Sequence, residues 1–356
     1  MNEIKFSQSS STFYKSIQAE IKSMLEKTNV LHKAQILLWT KLIFYFTCFI
    51  FSYSSLFLFA HESFISILLN YIAIGISGIL LAFNVAHDAC HDTLSKYKWL
   101  NNIIFQLTFN LQGTNAYLWK IRHQDSHHLF PNVDGCDADI DNNPFMRLSP
   151  QHQLKKHQKF QHIYAFFIYC IYTLHWFFIK DFMYLKKKKL ANLNDIKHPI
   201  QEWILFFFWK FLYLYLIVIL PIQFGYAIKY VIISFLLMQV INSLLFIHTL
   251  IITHLCLETE FPQANENGIL PYDFFEHQLA TSLDYHPTSQ VATWFFGGFN
   301  AHAAHHLFPN LPHTIYPKIT QIIQENVLKY NLKYNQLSFI NAIKSHYLYL
   351  KKMGQK

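Results

Sequence analysis

HQDSHHLFPN, from His123 to Asn132, returns nearly intact as HAAHHLFPN from His302 to Asn310, and a third histidine pair, HDACH, stands upstream at His87 to His91. The three clusters hold eight imidazoles: His87, His91, His123, His127, His128, His302, His305 and His306. Residues four apart on a helix differ by about 40° in azimuth, so His87 with His91, and His302 with His305 and His306, can each face one point. In the middle cluster the spacing i, i+4, i+5 turns His128 away from the other two, toward a neighbouring second ion. Burying eight unpaired imidazoles beside lipid would be costly without something to coordinate, and the set is too large for one ion and suited to two. A closed zinc site needs only four ligands, so redox iron fits a set of this size better. The Leu-Phe-Pro after each pair reads as a helix stop with apolar packing. Asp88, Asp92, Asp125, Asp137 and Asp139 adjoin the clusters and are expected to accept the other ring N–H of the ligand histidines. Scattered histidines such as His61, His152, His157, His162, His175 and His346 read as interfacial side chains with one hydrogen bond each.

Outward from the clusters the chain turns apolar. Of 356 residues, 52% are hydrophobic, 18% aromatic and only 14% charged, which makes lipid the main solvent. A hydrocarbon core of roughly 30 Å takes about 20 helical residues. Ile36 to Phe59, Phe64 to Ala86, Trp203 to Phe224 and Tyr226 to Leu250 meet that length, and Ile163 to Ile179 is a weaker candidate. Lysines flank these stretches (Lys5, Lys15, Lys22, Lys27 and Lys33 before the first, Lys186 to Lys189 after the weak one), so the net charge of +8 follows the positive-inside rule and not a nucleic-acid groove. The short turns around His61 to Ser63 and Pro221 to Gly225 hold no Lys or Arg and belong outside. The polar amphipathic start, MNEIKFSQSSSTFYKSIQAE, is neither a signal nor a transit peptide. Five cysteines without CxxC spacing give no disulfide framework, as expected on a reducing face.

Parity fixes the arrangement. With a cytosolic amino terminus, two spans return the chain at His87, and the apolar piece Ile103 to Leu111 is too short to cross, so the second cluster shares that side. For the third to join them the crossings between His128 and His302 must be even. Ile163 to Ile179, the shortest stretch, containing His175 and followed by Lys180, Asp181 and the lysine run, is therefore an interfacial helix. The expected fold is an all-α membrane protein forming one domain over residues 1–356. Four transmembrane helices in two hairpins carry a cytosolic helical cap built from residues 1–35, 87–202 and 251–356.

The boxes, their order and their placement against two hairpins resemble the membrane fatty acid desaturase family. WKIRHQDSHHLFPNVDGCDADID (Trp119 to Asp141), RLSP (Arg147 to Pro150), HQLATS (His277 to Ser282), GGFNAHAAHHLFP (Gly297 to Pro309) and the opening IKFS are similar to its bacterial acyl-CoA and front-end, linoleoyl-CoA type branch. The resemblance implies two iron ions that activate O2 and remove two hydrogens from adjacent carbons of a long acyl chain. It also implies a ninth histidine ligand after the last span, at His254 in THLCLETEFP, with His248 packing elsewhere. Two positions depart from relatives: His302 stands where many front-end members have glutamine, and Leu250 where animal acyl-CoA desaturases hold a water-binding asparagine. No HPGG-like haem motif occurs, so electrons are expected from a separate ferredoxin or cytochrome b5 type carrier and its reductase, docking on the basic face. Arg122 and Arg147, the only arginines, are candidates for a substrate headgroup, because guanidinium binds phosphate in a fork. Trp119 and Lys120 are candidates for the tunnel mouth. The expected setting is a bacterial inner membrane with the site on the cytosolic side. The rival readings are a di-iron hydroxylase sharing the same oxidant and a metal-handling membrane protein, whose histidines would line the spans as a pathway.

Overall fold

The computed structural model describes residues 4–8, 12–27, 29–59 and 63–355, and their regular elements are almost all helices. Four helices are long and apolar enough to cross a membrane: Val30–Leu58, Phe64–Cys90, Ile200–Gln223 and Ile228–Thr253. The first begins earlier than its apolar stretch because the amphipathic turn Val30 to Gln35 continues the same helix. The second runs past Ala86 through a π turn, Ala82–Ala86, and so carries the first histidine box on its own end. The turn expected around His61 to Ser63 lies, except for Ser63, outside the described residues, as does much of the opening segment.

The spans bury one face each around Leu38, Tyr71, Leu81, Phe105, Trp176 and Met238. Their other faces leave Phe51, Ile204 and Phe211 roughly two-thirds exposed, a pattern that suits lipid and not water. Between the second box and the third span the chain forms two helical arms, Lys156–Cys170 and Tyr172–Lys186, bent by 69°. The bend at Ile171 is held by the fourth span, where Ser243 Oγ accepts from Thr173 N–H at 2.9 Å and Gln239 carbonyl accepts from Thr173 Oγ1 at 3.0 Å. The second arm is pinned to the third span by Lys210, whose Nζ lies 2.7 Å from Asp181. Asp181 also accepts from Trp176 Nε1 at 2.8 Å and from the main-chain N–H of Asn115 at 2.9 Å. A buried ion pair breaks even only when its remaining lone pairs are satisfied, as they are here.

The rest forms a cap on one end of the bundle. Helix Thr12–Lys27 sets Phe13, Ile17 and Ile21 against Ile319, Ile323 and Val327 of helix Tyr316–Lys329. Further on, a two-residue parallel pairing joins Asp284–Tyr285 to Gln336–Leu337. The amino-terminal segment adds a strap: Lys5 pairs with Ile269, and Phe6 stacks on Phe130 at 5.1 Å, just after the second box. All five cysteines are free thiols.

Candidate metal centre

All three boxes and His254 meet beneath this cap, each box on a different backbone. The second lies on a π-helix, Ile121–His127, closed by a bond from His128 N–H to His123 carbonyl at 3.0 Å, an i to i+5 pairing. Residues five apart therefore align. His123 and His128 face each other, Nε2 to Nε2 at 3.0 Å, while His127 turns the other way. This corrects the α-helical expectation that grouped His123 with His127 and set His128 apart. The third box, His302–Leu307, is a regular α-helix, so His302 and His306 share a side and His305, one residue before His306, faces the opposite one. That corrects the expectation that all three face one point.

Two sets result. His87, His91, His123 and His305 bring ligand nitrogens within 4.8 Å of one another, and so do His127, His254, His302 and His306. In the first, His87 and His91 Nε2 each stand 3.3 Å from His123 Nε2. In the second, His254 Nε2 lies 2.7 Å from His302 Nε2 and 3.1 Å from His306 Nε2. His128 sits at the seam, its ring 4.5 Å from the rings of both His305 and His306. Burial, reinforced by neighbouring imidazoles, drives His123, His128, His254, His302, His305 and His306 well below 6.5. They stay neutral and keep a lone pair for a metal. His305 Nε2, buried and without a hydrogen-bond partner among the described residues, points into the first set as a ligand atom would.

Several outer contacts fix the tautomers. Asp137 lies 3.1 Å from His127 Nδ1 and is itself held by the main-chain N–H groups of Asn132 and Asp139. Thr281 carbonyl accepts from His254 Nδ1 at 2.9 Å, and Gln278 Oε1 from His306 Nδ1 at 2.9 Å. With Nδ1 committed outward, Nε2 is left facing the centre. Asp139 stands 3.8 Å from His127 and 3.1 Å from Arg122 Nε. Burial opposes its charge, but Arg122 and then His127 hold its carboxyl down at about 2.

The other aspartates act elsewhere. Asp88 accepts from the main-chain N–H and Nδ1 of His313, not from a box histidine, and His313 Nε2 in turn meets Lys41 Nζ at 2.6 Å. Asp92 and Asp125 are exposed and, among the described residues, form no hydrogen bond to a box histidine. Of the substrate candidates, Trp119 is buried and stacks on His123 at 4.2 Å, so it walls the first set instead of lining a mouth. Arg122 lies under the cap, its guanidinium 5.0 Å above Trp176 and 5.5 Å above Tyr184, and Lys120 is half-buried nearby. Arg147 donates to the carbonyls of Pro150, His152 and Met353 through all three of its nitrogens, so its fork ties down the last helix instead of facing a headgroup. His248 donates to Leu244 carbonyl, away from both sets.

Sequence reasoning missed Gln278, Thr281, His313 and Lys41. The first two lie in HQLATS, singled out only for its similarity; His313, seven residues after His306, and Lys41, a lone cation in an apolar span, were the remaining signals. Box three reaches box one through Gly297 and Gly298, both at positive φ: a Cβ on Gly297 would lie 2.2 Å from Phe83 carbonyl in the π turn before His87.

The family model described as "Fatty acid desaturase" matches residues 62–338. The chain is 28% identical to the sn-1 linoleoyl-lipid 6-desaturase of Arthrospira platensis over 81% of its own length and 78% of that protein's. It is 29% identical to acyl-lipid (8-3)-desaturase B of Dictyostelium discoideum over 79% of this chain and 62% of the other. Human fatty acid desaturase 3 is 26% identical over 75% and 57% respectively.

Proposed function

The chain belongs to the fatty acid desaturase family, and from that premise we propose that it uses two irons, O2 and externally supplied electrons to place a cis double bond in a long acyl chain. It is an oxidoreductase of fatty acyl substrates. The observation that carries the finer reading is the convergence of nine buried imidazoles, eight in two adjoining sets and His128 at the seam between them. Hard cations such as magnesium prefer oxygen, while imidazole in this number suits first-row redox metals. His87, His91, His123 and His305, with His128 at the seam, would hold one iron; His127, His254, His302 and His306 would hold the other. Bound there, iron supplies the O2-activating redox chemistry needed to break an unactivated C–H bond.

The protein's own groups supply the rest. Asp137, Gln278 and Thr281 orient imidazoles. Trp119 covers His123 with an apolar face that excludes water from the reacting carbons. Arg122, steadied by Asp139, and Lys120 are the cations within reach of a carbonyl or phosphate at the head of the substrate. The printed names of the relatives favour an acyl-lipid substrate. The lysine-flanked ends support a cytosolic setting for the cap.

Expression in a host without polyunsaturated fatty acids, with fed substrates and mass spectrometry of total lipids, tests this directly. The expected product lacks two hydrogens. Gain of an oxygen atom would make the enzyme a hydroxylase, and stoichiometric iron with no product, in the presence of an electron donor, would make it a metal-handling protein.

A further inference from the structure

Lys41 lies in the first span, inside the apolar stretch that opens at Ile36, and is only 1% exposed. A cation at such a depth is costly, and one without a task there would stretch its amine back to the interface. Lys41 turns inward instead. Its Nζ donates to Thr293 carbonyl at 3.2 Å, lies 5.2 Å from the centre of the Trp294 ring and meets His313 Nε2 at 2.6 Å. The other ring nitrogen of His313 meets the Asp88 carboxylate. A carboxylate only accepts, so Nδ1 carries the proton and Nε2 accepts a hydrogen bond from Lys41. The main-chain N–H of His313 and the Thr93 hydroxyl also donate to Asp88, at 3.1 and 3.0 Å, and Lys41, Asp88 and His313 are all buried. Asp88 belongs to the first box, Thr293 precedes the third and His313 follows it. One lysine thus ties the first span to two boxes.

The two histidine sets differ in what holds their rings. In the second, Asp137, Thr281 and Gln278 each fix one imidazole directly. In the first, no carboxylate or carbonyl oxygen is hydrogen-bonded to a ring nitrogen of His87, His91, His123 or His305 among the described residues; His91 Nδ1 has Gln124 Nε2 at 3.3 Å and His305 Nδ1 the Tyr316 hydroxyl at 3.4 Å. Its geometry therefore depends on where the backbones place the rings, above all on the approach of the first box to the third, where the rings of His87 and His305 stand 4.4 Å apart. We propose that Lys41 is a positioning residue for the first set, holding the first box against the third through His313 and Asp88. The inference rests on the two-metal reading. Without the lysine, Asp88 keeps a buried charge with no cation in reach, and the turn that carries His87 and His91 is free to swing away from His305.

The test is Lys41→Met in the full chain, with iron per molecule followed as a chelator is titrated in. One iron should leave at a chelator concentration about 10- to 100-fold below that needed for the parent, and the other at the parent's concentration. Combined with His91→Ala, which removes a ligand of the first set alone, Lys41→Met should leave only the late iron. Lys210→Met is the control for stability: it deprives Asp181 of its cation as Lys41→Met deprives Asp88, so the two should lower the unfolding temperature alike, but Lys210→Met should release both irons as the parent does. Should Lys41→Met fail to fold, Lys41→Met with Asp88→Asn removes both charges and leaves none unpaired, and it should still release one iron early. Release identical to the parent, parallel early release of both irons, an early phase that survives His91→Ala, or the same early phase in Lys210→Met would overturn the role of Lys41. An unmodified protein holding fewer than two irons would defeat the two-metal reading, and this role with it.

Discussion

The two copies of HHLFPN are identical in sequence and opposite in use. At His127 to Asn132 the pair ends a π-helix, the first histidine goes to the set that contains His254, and Asn132 is wholly buried. At His305 to Asn310 the pair sits on an α-helix, the first histidine goes to the other set, and Asn310 lines an open cavity. Backbone periodicity, not the motif, decides which set a histidine joins. One inserted residue per turn is enough to exchange neighbours, which explains why a π turn belongs at such a site.

The largest effect that could break this comparison comes from the pairs themselves. His128→Ala and His305→Ala, both assigned to the first set, should each leave no product above background in the lipid profile; an active variant would remove that residue from the ligands. Next is the contact that brings the α-helical copy to the first box. Gly297→Ala puts a Cβ into Phe83 carbonyl at a φ of +62°, and a loss of stability above about 1 kcal/mol, read as a lower unfolding temperature, is expected. Asp137→Asn, which acts only on the π-helical copy, should weaken iron retention about 10- to 100-fold in chelator competition.

The terminal asparagines sharpen the contrast. Asn132→Ala removes the amide that bridges the carbonyls of His254 and Glu260 and should cost about 1–3 kcal/mol, whereas Asn310→Ala should stay within about 0.5 kcal/mol. Equal effects in denaturation would mean that the copies are equivalent after all. A pH dependence also attaches to the first copy, where His277 Nε2 donates to Pro131 carbonyl at 2.9 Å. Burial pushes His277 down to about 4 from 6.5, although that hydrogen bond acts in the opposite sense. The unfolded chain therefore takes up a proton that the fold refuses, and stability is full above pH 6.5 and falls as pH drops toward 4. Between pH 7 and 5 this contributes about 2 kcal/mol, and His277→Gln should reduce the difference in melting temperature by that share.

Much of this was legible from residue types alone. Apolar length located the spans, and parity brought the boxes together, because both depend on sums over many residues. The division of ligands was not legible, since an α turn and a π turn share one composition and only tertiary contacts choose between them. Asp88 was misread for a related reason: adjacency to His87 suggested service to it, but on a helix the next residue points elsewhere, and here it meets His313. Arg147 looked available because nothing in the sequence shows that two carbonyls of the following turn and a distant one, of Met353, would claim it. Gln278 and Thr281 lie on a helix far along the chain from the histidine they serve or border, beyond the reach of any spacing rule.

Neither set is made from contiguous chain. Each needs the second box together with a histidine from the third, on the far side of the last two spans. A ribosome must therefore deliver both hairpins into the bilayer and release the third box before either histidine set is complete. Metal loading on the proposed sites would then be the closing event of biogenesis, and a cell starved of that metal should accumulate an inserted but idle protein rather than a half-built one.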